Sequence, residues 1–229
     1  MKHILRNKYL SRPRYNRYLI AVGNNKDRAK KLYNANIRLA QLFHPVLSQF
    51  EVVLRNCLNN KLSVYFADTD WIINQKNGFM RHTSLSKSHF FLKKAVIKTQ
   101  NNLTRKGIPI SSGKIISDQN FGFWIAFFLP HHYALIAGQP IHIFPNKPSL
   151  EDRASLYSKL DAIRSFRNRV NHCEPICFKG NHINCSEAIE IRNILYDLVR
   201  WINPDLISFF KDIDNTQSKI DTINSMKER

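Results

Sequence analysis

The chain has 229 residues and carries 35 Lys+Arg against 17 Asp+Glu, a formal charge of +18 with a pI near 10.0. A 43% hydrophobic content excludes wholesale disorder, whose signature is low hydrophobicity beside high net charge. The length suits one domain, or one domain with an insertion, because single cores stop growing near about 250–300 residues.

In chain order, Arg14 to Val22 reads as a short helix ending at Gly23. From Asp27 to Phe66 apolar residues recur with the period of a helix, and Pro45 predicts a kink or break within it. Ser84 to Arg105 is a third helix, closed by Gly107 and Pro109, and Phe121 to Leu129 a short, strongly apolar one. Residues 131–148, with three Pro and one Gly, read as a loop. Ser149 opens a long helix with Asp152 as its capping partner, running to about His172. After a loop near Pro175 to Cys185, Ser186 caps a helix that continues to Ile202, and Asn203-Pro204 starts a last short one. The tail beyond Asp212 is polar and expected to fray. With no alternating strand pair in view, the expectation is an all-α bundle.

The charge is unevenly spread. Residues 1–55 hold 12 Lys/Arg and 2 acids, residues 56–110 hold 9 and 2, and residues 151–229 hold 12 of each. The basic first two thirds therefore faces a polyphosphate partner, since neutralising phosphates releases condensed counterions. The basic residues singled out for RNA are Arg12, Arg14, Arg17, Lys30, Lys31, Lys87, Lys93, Lys94, Lys98, Arg105 and Lys106, with Arg164 and Arg169 beside them. No stretch approaches the roughly 20 apolar residues of a membrane span. The opening MKHILRNKYL has no apolar segment of a secretory signal, and Cys57, Cys173, Cys177 and Cys185 do not make a disulfide framework, so a reducing, cytoplasmic setting is expected.

Two apolar stripes carry charges. Extending Leu156, Leu160, Ile163 and Val170 by helical spacing puts Arg167 in the core stripe, where an unpaired guanidinium is costly. Asn168 and His172 stand four apart on the neighbouring face. The stripe of Leu47, Leu54 and Leu58 includes Glu51, whose cation is Arg55 or Arg167, or which forms an ion pair of purely structural value.

The segment Arg167-Asn168-Arg169-Val170-Asn171-His172-Cys173-Glu174-Pro175 resembles the R-x4-6-H signature of HEPN ribonucleases, and in particular the RN-x-x-x-H-x-E-P run of the Abi-like (AbiD/AbiF) abortive-infection family. LYNANIRL from Leu32, FEVVLRN from Phe50 and FGFWIAFF from Phe121 resemble the same family, so the likeness spans roughly residues 14–212. Arg38 and His44 also satisfy R-x5-H, but Leu39 follows that Arg where the signature prefers a polar residue. Cys173 stands where many relatives carry a second His.

The resemblance implies a HEPN-type helical bundle with an inserted helical or loop segment, a single domain over 1–213 and a polar tail over 214–229. It implies cofactor-free RNA cleavage through attack of the 2′-hydroxyl on the adjacent phosphate. His172 then moves the proton, Arg167 stabilises charge on phosphorus, and Asn168 orients the phosphate or the imidazole, with Glu51, Arg55 and Asn56 supporting them. It also implies a homodimer with a composite cleft, and an antiphage or toxin–antitoxin-like role with a small non-coding RNA as one form of restraint. The chemical rival is zinc held by His172, Cys173, Cys177, His182 and Cys185. The rival of another class is a protein that scaffolds a structured small RNA without cutting it.

Overall fold

The computed structural model describes residues 8–227. The N-terminal residues on which the reading of a missing secretory signal chiefly rests lie outside them. The architecture is all-α: α1 is Arg12–Ala21, α2 Lys26–Phe66, α3 Trp71–Asn74, α4 Phe91–Arg105 and α5 Ser112–Asp118. There follow α6 Phe121–Ile125, α7 Pro130–Leu135, α8 Arg153–Asn171, α9 Ser186–Ile202, α10 Leu206–Ile213 and α11 Thr216–Asn224. A two-residue antiparallel pair, β1 Phe178–Lys179 and β2 His182–Ile183, is a hairpin the sequence reading did not foresee. Gly180, at φ +60°, takes the first central turn position, where a side chain would strain the backbone. No helix among the described residues is long and apolar enough to cross a membrane.

Two compact units share the chain. One draws on the chain up to Ser48, on Ser165–Asp197 and on the chain from Asp205; the other is Gln49–Arg164 with Leu198–Pro204. Divisions fall inside α2, α8 and α9. Helix α2 starts at Asn25, whose Oδ1 accepts from the Asp27 and Arg28 amides at 3.1 and 3.0 Å. It then runs through Pro45 without the expected break. A mid-helix proline loses one hydrogen bond and crowds the preceding turn; here Leu39 and Phe43 before it and Val46, Leu47 and Phe50 after it are all buried, and this continuous stripe outweighs the local cost.

In the first unit, Tyr18 packs edge-on against Tyr33 and Phe178, both at 5.0 Å between centroids. Phe43 meets Phe166 edge-on at 4.9 Å. Asn36, buried, accepts the Ile176 amide at 2.9 Å. The stretch expected to fray carries α11, with Thr216, Ile220 and Ile223 buried.

The second unit is built on rings. Trp71 meets Phe127 edge-on at 5.9 Å, Phe123 meets the same ring at 5.5 Å, and the Trp71 indole donates to Asn59 Oδ1 at 2.9 Å. The helix expected over 84–105 is broken: a 3-10 turn over Thr83–Ser88 ends at His89 and Phe90, both left-handed, before α4 begins. The apolar helix from Phe121 becomes 3-10 over Ala126–Phe128. The expected loop after it contains α7 and a second 3-10 turn over Gln139–Ile143. Proline at the first turn of each explains why a Pro-rich stretch folds this way. His132, fully buried on α7, hydrogen-bonds the Ala126 carbonyl through Nδ1 at 2.9 Å, and burial pushes its pKa down to about 4.

Candidate active site and basic face

Helix α8 begins one turn later than expected. Asp152, rather than Ser149, precedes its first residue: its Oδ1 accepts the Ser155 amide at 2.8 Å and its own amide donates to Ser155 Oγ at 3.0 Å, a reciprocal cap. The buried stripe is Leu156, Leu160, Ile163, Phe166 and Val170. Phe166, not Arg167, occupies the core position, because the step after Ile163 is three residues where four was the expectation. Arg167 is left half-buried on the shoulder of the stripe, with a partner of its own.

The end of α8 is a Schellman turn. Glu174 donates its amide to the Arg169 carbonyl at 2.9 Å, Cys173 donates to Val170 at 3.1 Å, and Cys173 is left-handed at φ +54°. His172 is thus the last residue before the chain reverses, its amide bonded to the Asn168 carbonyl at 2.9 Å. Both Asn168 and His172 are exposed, one turn apart on one face. By helical pitch Arg167 lies about 140° around from His172. Glycine is the residue this left-handed position favours, so Cys173→Gly should raise stability by about 1 kcal/mol in urea unfolding. A loss on that substitution would mean that the thiol contributes more than its backbone strain costs.

Arg169, grouped with the RNA contacts in the sequence reading, holds the turn instead. It donates to the Pro175 carbonyl at 2.6 Å, lies 3.4 Å from Glu174 and pairs with Glu187. Arg14 donates to the Cys173 carbonyl, while Arg17 donates to the Gly180 carbonyl and lies over the Phe178 ring at 4.7 Å. These three guanidiniums are committed to the protein's own carbonyls and rings. Arg164 pairs with Asp161 at 2.6 Å, and Arg12, Lys30 and Lys31 are exposed.

Beside the turn, the first unit has a cavity of about 580 Å³ lined by Asn36, His44, Pro45, Asn171, Cys173 and Glu174 among others. Arg167 and His172 are not among its lining residues. His44, set aside with Arg38 as a chance match, faces this cavity; Arg38 itself donates to Gln41 at 3.0 Å. The pairing pattern singled out His44, but only its neighbours in space show that it shares a wall with the motif's end. Glu51, Arg55 and Asn56 belong to the second unit. Glu51 is 9% exposed as its stripe predicts, Arg55 is within 3.5 Å of the Ser117 carbonyl, and Asn56 is exposed.

Among the described residues no three His, Cys, Asp or Glu side chains gather as metal ligands. Cys177 and Cys185 are buried; burial and then the neighbouring Cys185 push the Cys177 thiol up to about 12, and burial pushes Cys185 up to about 11. Cys173 and His182 are exposed.

The second unit carries a long acid-free basic stretch, with nine Lys/Arg and no acid between Asp70 and Asp118. On α4 the buried residues are Leu92, Val96 and Thr99. At 100° per residue Phe91, Lys94, Lys98 and Arg105 fall within about 60° on the outer face. Lys93 falls on the opposite shoulder and is half-buried. Lys87 sits on the preceding 3-10 turn and Lys106 just beyond the helix, both exposed. Compared with protein-family models, curated proteins and solved structures, the chain finds no match.

Proposed function

We propose that this chain is a HEPN-type endoribonuclease that needs no metal, acting in abortive infection or as the toxin of a toxin–antitoxin-like pair and restrained by a partner such as a small non-coding RNA. The observation that carries the reading is the seating of the motif: Asn168 and His172 stand exposed on one face of a helix end whose following turn Arg14 and Arg169 tie down at the Cys173 and Pro175 carbonyls. An imidazole beside a polar side chain suits proton transfer at a phosphodiester, because its two ring nitrogens can accept a proton on one side and donate one on the other. The 2′-hydroxyl attacks the adjacent phosphorus, His172 carries the proton, and Arg167 stabilises the charge that develops on the phosphoryl oxygens. Asn168 orients the phosphate. The products are a 2′,3′-cyclic phosphate and a 5′-hydroxyl. Two protomers facing each other through this helix end supply one composite cleft.

The test is cleavage of end-labelled RNA in the presence of EDTA. His172→Ala should lower the rate by about 10²–10⁴-fold, the usual contribution of a general acid or base. Arg167→Ala should lower it by about 10²–10³-fold, the cost of removing one oxyanion donor. RNA binding should persist in both. Variants that cut RNA at the parent rate overturn the catalytic assignment.

A second reading, a protein that holds a small RNA without cutting it, draws on the α4 face, which lies on a different unit from the motif. Binding with no cleavage by the parent protein would favour it.

A further inference from the structure

Phe91 is the first residue of α4 and remains 42% exposed, an aromatic ring set among lysines. It lines two cavities of the second unit that share Ser88 and Phe91 as a common wall, one of about 480 Å³ and one of about 250 Å³. The larger is faced by His89, Lys94, Lys98 and Asn120, the smaller by His131, Tyr157 and Arg164. A ring with open space and cations on both sides is the arrangement proteins use to stack a base while phosphates run past it.

The backbone leading to the ring is strained to put it there. His89 and Phe90 are consecutive non-glycine residues in the left-handed region, at φ 52° and 53°. Such a pair costs about 1–2 kcal/mol per residue, and strain of this kind collects at ligand clamps. Its local effect is to separate the 3-10 turn from α4, so that Phe91 starts a new helix on the outer face and not in the buried stripe of Leu92, Val96 and Thr99.

Hydrogen bonds tie together part of the larger cavity's lining. Thr99 donates to Asp118 Oδ2 at 2.6 Å, and Gln119 Nε2 donates to Thr99 Oγ1 and to the Ile115 carbonyl, both at 3.1 Å. Asp118 is the one carboxylate among the residues lining the larger cavity, which Lys94 and Lys98 also line. Lys94 and Lys98 are one turn apart, about 6 Å along the axis, a reach that lets them meet successive phosphates of one strand.

From this geometry we infer that the α4 face is a binding site for a single-stranded polynucleotide, one base stacked on Phe91 and the flanking phosphates held by Lys94 and Lys98. Duplexes hide their base faces and would leave Phe91 unused, while an acidic peptide would need only the lysines. The inference deepens the ribonuclease reading and rests on it for RNA as the natural ligand; the site is on the other unit from the motif and has its own readout.

Fluorescence anisotropy with a labelled ten-nucleotide oligo-uridylate, its deoxythymidylate counterpart and a duplex of equal length tests it, using His172→Ala protein so that no strand is cut. Phe91→Ala should weaken single-strand binding by about ten-fold or more, and Phe91→Trp should retain it. The double variant Lys94→Glu, Lys98→Glu should weaken it and reduce the slope of log K against log salt by about 1.4, the value for two single-strand phosphates. Phe91 and both lysines are surface groups, so unchanged thermal unfolding accompanies these losses. The site is overturned if both variants bind like the parent, if the parent binds neither oligomer, or if duplex outcompetes single strand. Groove variants that bind normally beside an active nuclease sink this site alone. Groove-dependent binding with no cleavage by the parent protein sinks the ribonuclease reading alone.

Discussion

Phe166→Ala should cost the folded chain about 3–5 kcal/mol, the range for emptying a buried aromatic site, whereas its neighbour Arg167→Ala should cost clearly less. Phe166 is 1% exposed and its ring meets Phe43 edge-on at 4.9 Å, joining α8 to α2 inside the first unit. Truncation removes the apolar burial and leaves a cavity that close-packed neighbours fill only in part. Arg167, half-buried on the shoulder, forfeits interactions but opens no hole in the core. Urea unfolding monitored by circular dichroism measures both. The comparison also guards the cleavage test: loss of cleavage in a destabilised Phe166 variant is a folding effect, whereas loss in a stably folded Arg167 variant bears on the proposed chemistry. Equal destabilisation by the two would return Arg167 to the core stripe.

The second large effect is expected at Asp214, whose side chain is 1% exposed. Its carboxylate receives the Arg192 guanidinium at 2.7 Å, the Tyr196 hydroxyl at 3.0 Å, and the Thr216 hydroxyl and amide at 2.6 and 2.9 Å. Burial pushes its pKa up, but the Thr216 and Tyr196 hydrogen bonds and the Arg192 charge together hold it below the ordinary carboxylate value. Asp214→Ala should cost about 3–5 kcal/mol, because it strands a partly buried guanidinium as well as removing four hydrogen bonds. A carboxylate with a depressed folded pKa stabilises fully above its unfolded value near 4, and that stability is lost as pH falls through the folded pKa. The parent should therefore lose stability below about pH 4 more steeply than Asp214→Asn. Parallel acid limbs for the two proteins would mean that Asp214 does not drive the acid transition.

Helical spacing made α2, α8 and α9 legible, because long amphipathic stripes average over single errors. It failed where one residue decides. The choice between a three- and a four-residue step after Ile163 exchanges Phe166 for Arg167, and only the ring of Phe43 resolves it. Pro45 reads as a kink or break, and the chain does not break there, because a local cost is visible in the sequence while the burial on either side of it is not. The left-handed pair His89–Phe90 has only a weak sequence mark, since neither is glycine or asparagine, so α4 merged with the turn before it. At the candidate site, the order Arg167, Asn168, His172 was legible, as was the burial of Glu51. That Arg14, Arg17 and Arg169 hold carbonyls and rings was not, because a basic side chain looks the same in sequence whether it faces phosphate or the protein's own backbone.

The interleaving of the two units sets a timetable for synthesis. The motif-bearing unit takes α10 and α11 from beyond Asp205, and Arg192 finds its carboxylate only at Asp214. The second unit likewise waits for Leu198–Pro204. A nascent chain still on the ribosome at α9 therefore has every residue of the motif but not the unit that holds it. The motif-bearing unit matures only after the chain has been made past Asp214, well after the motif itself has been synthesised.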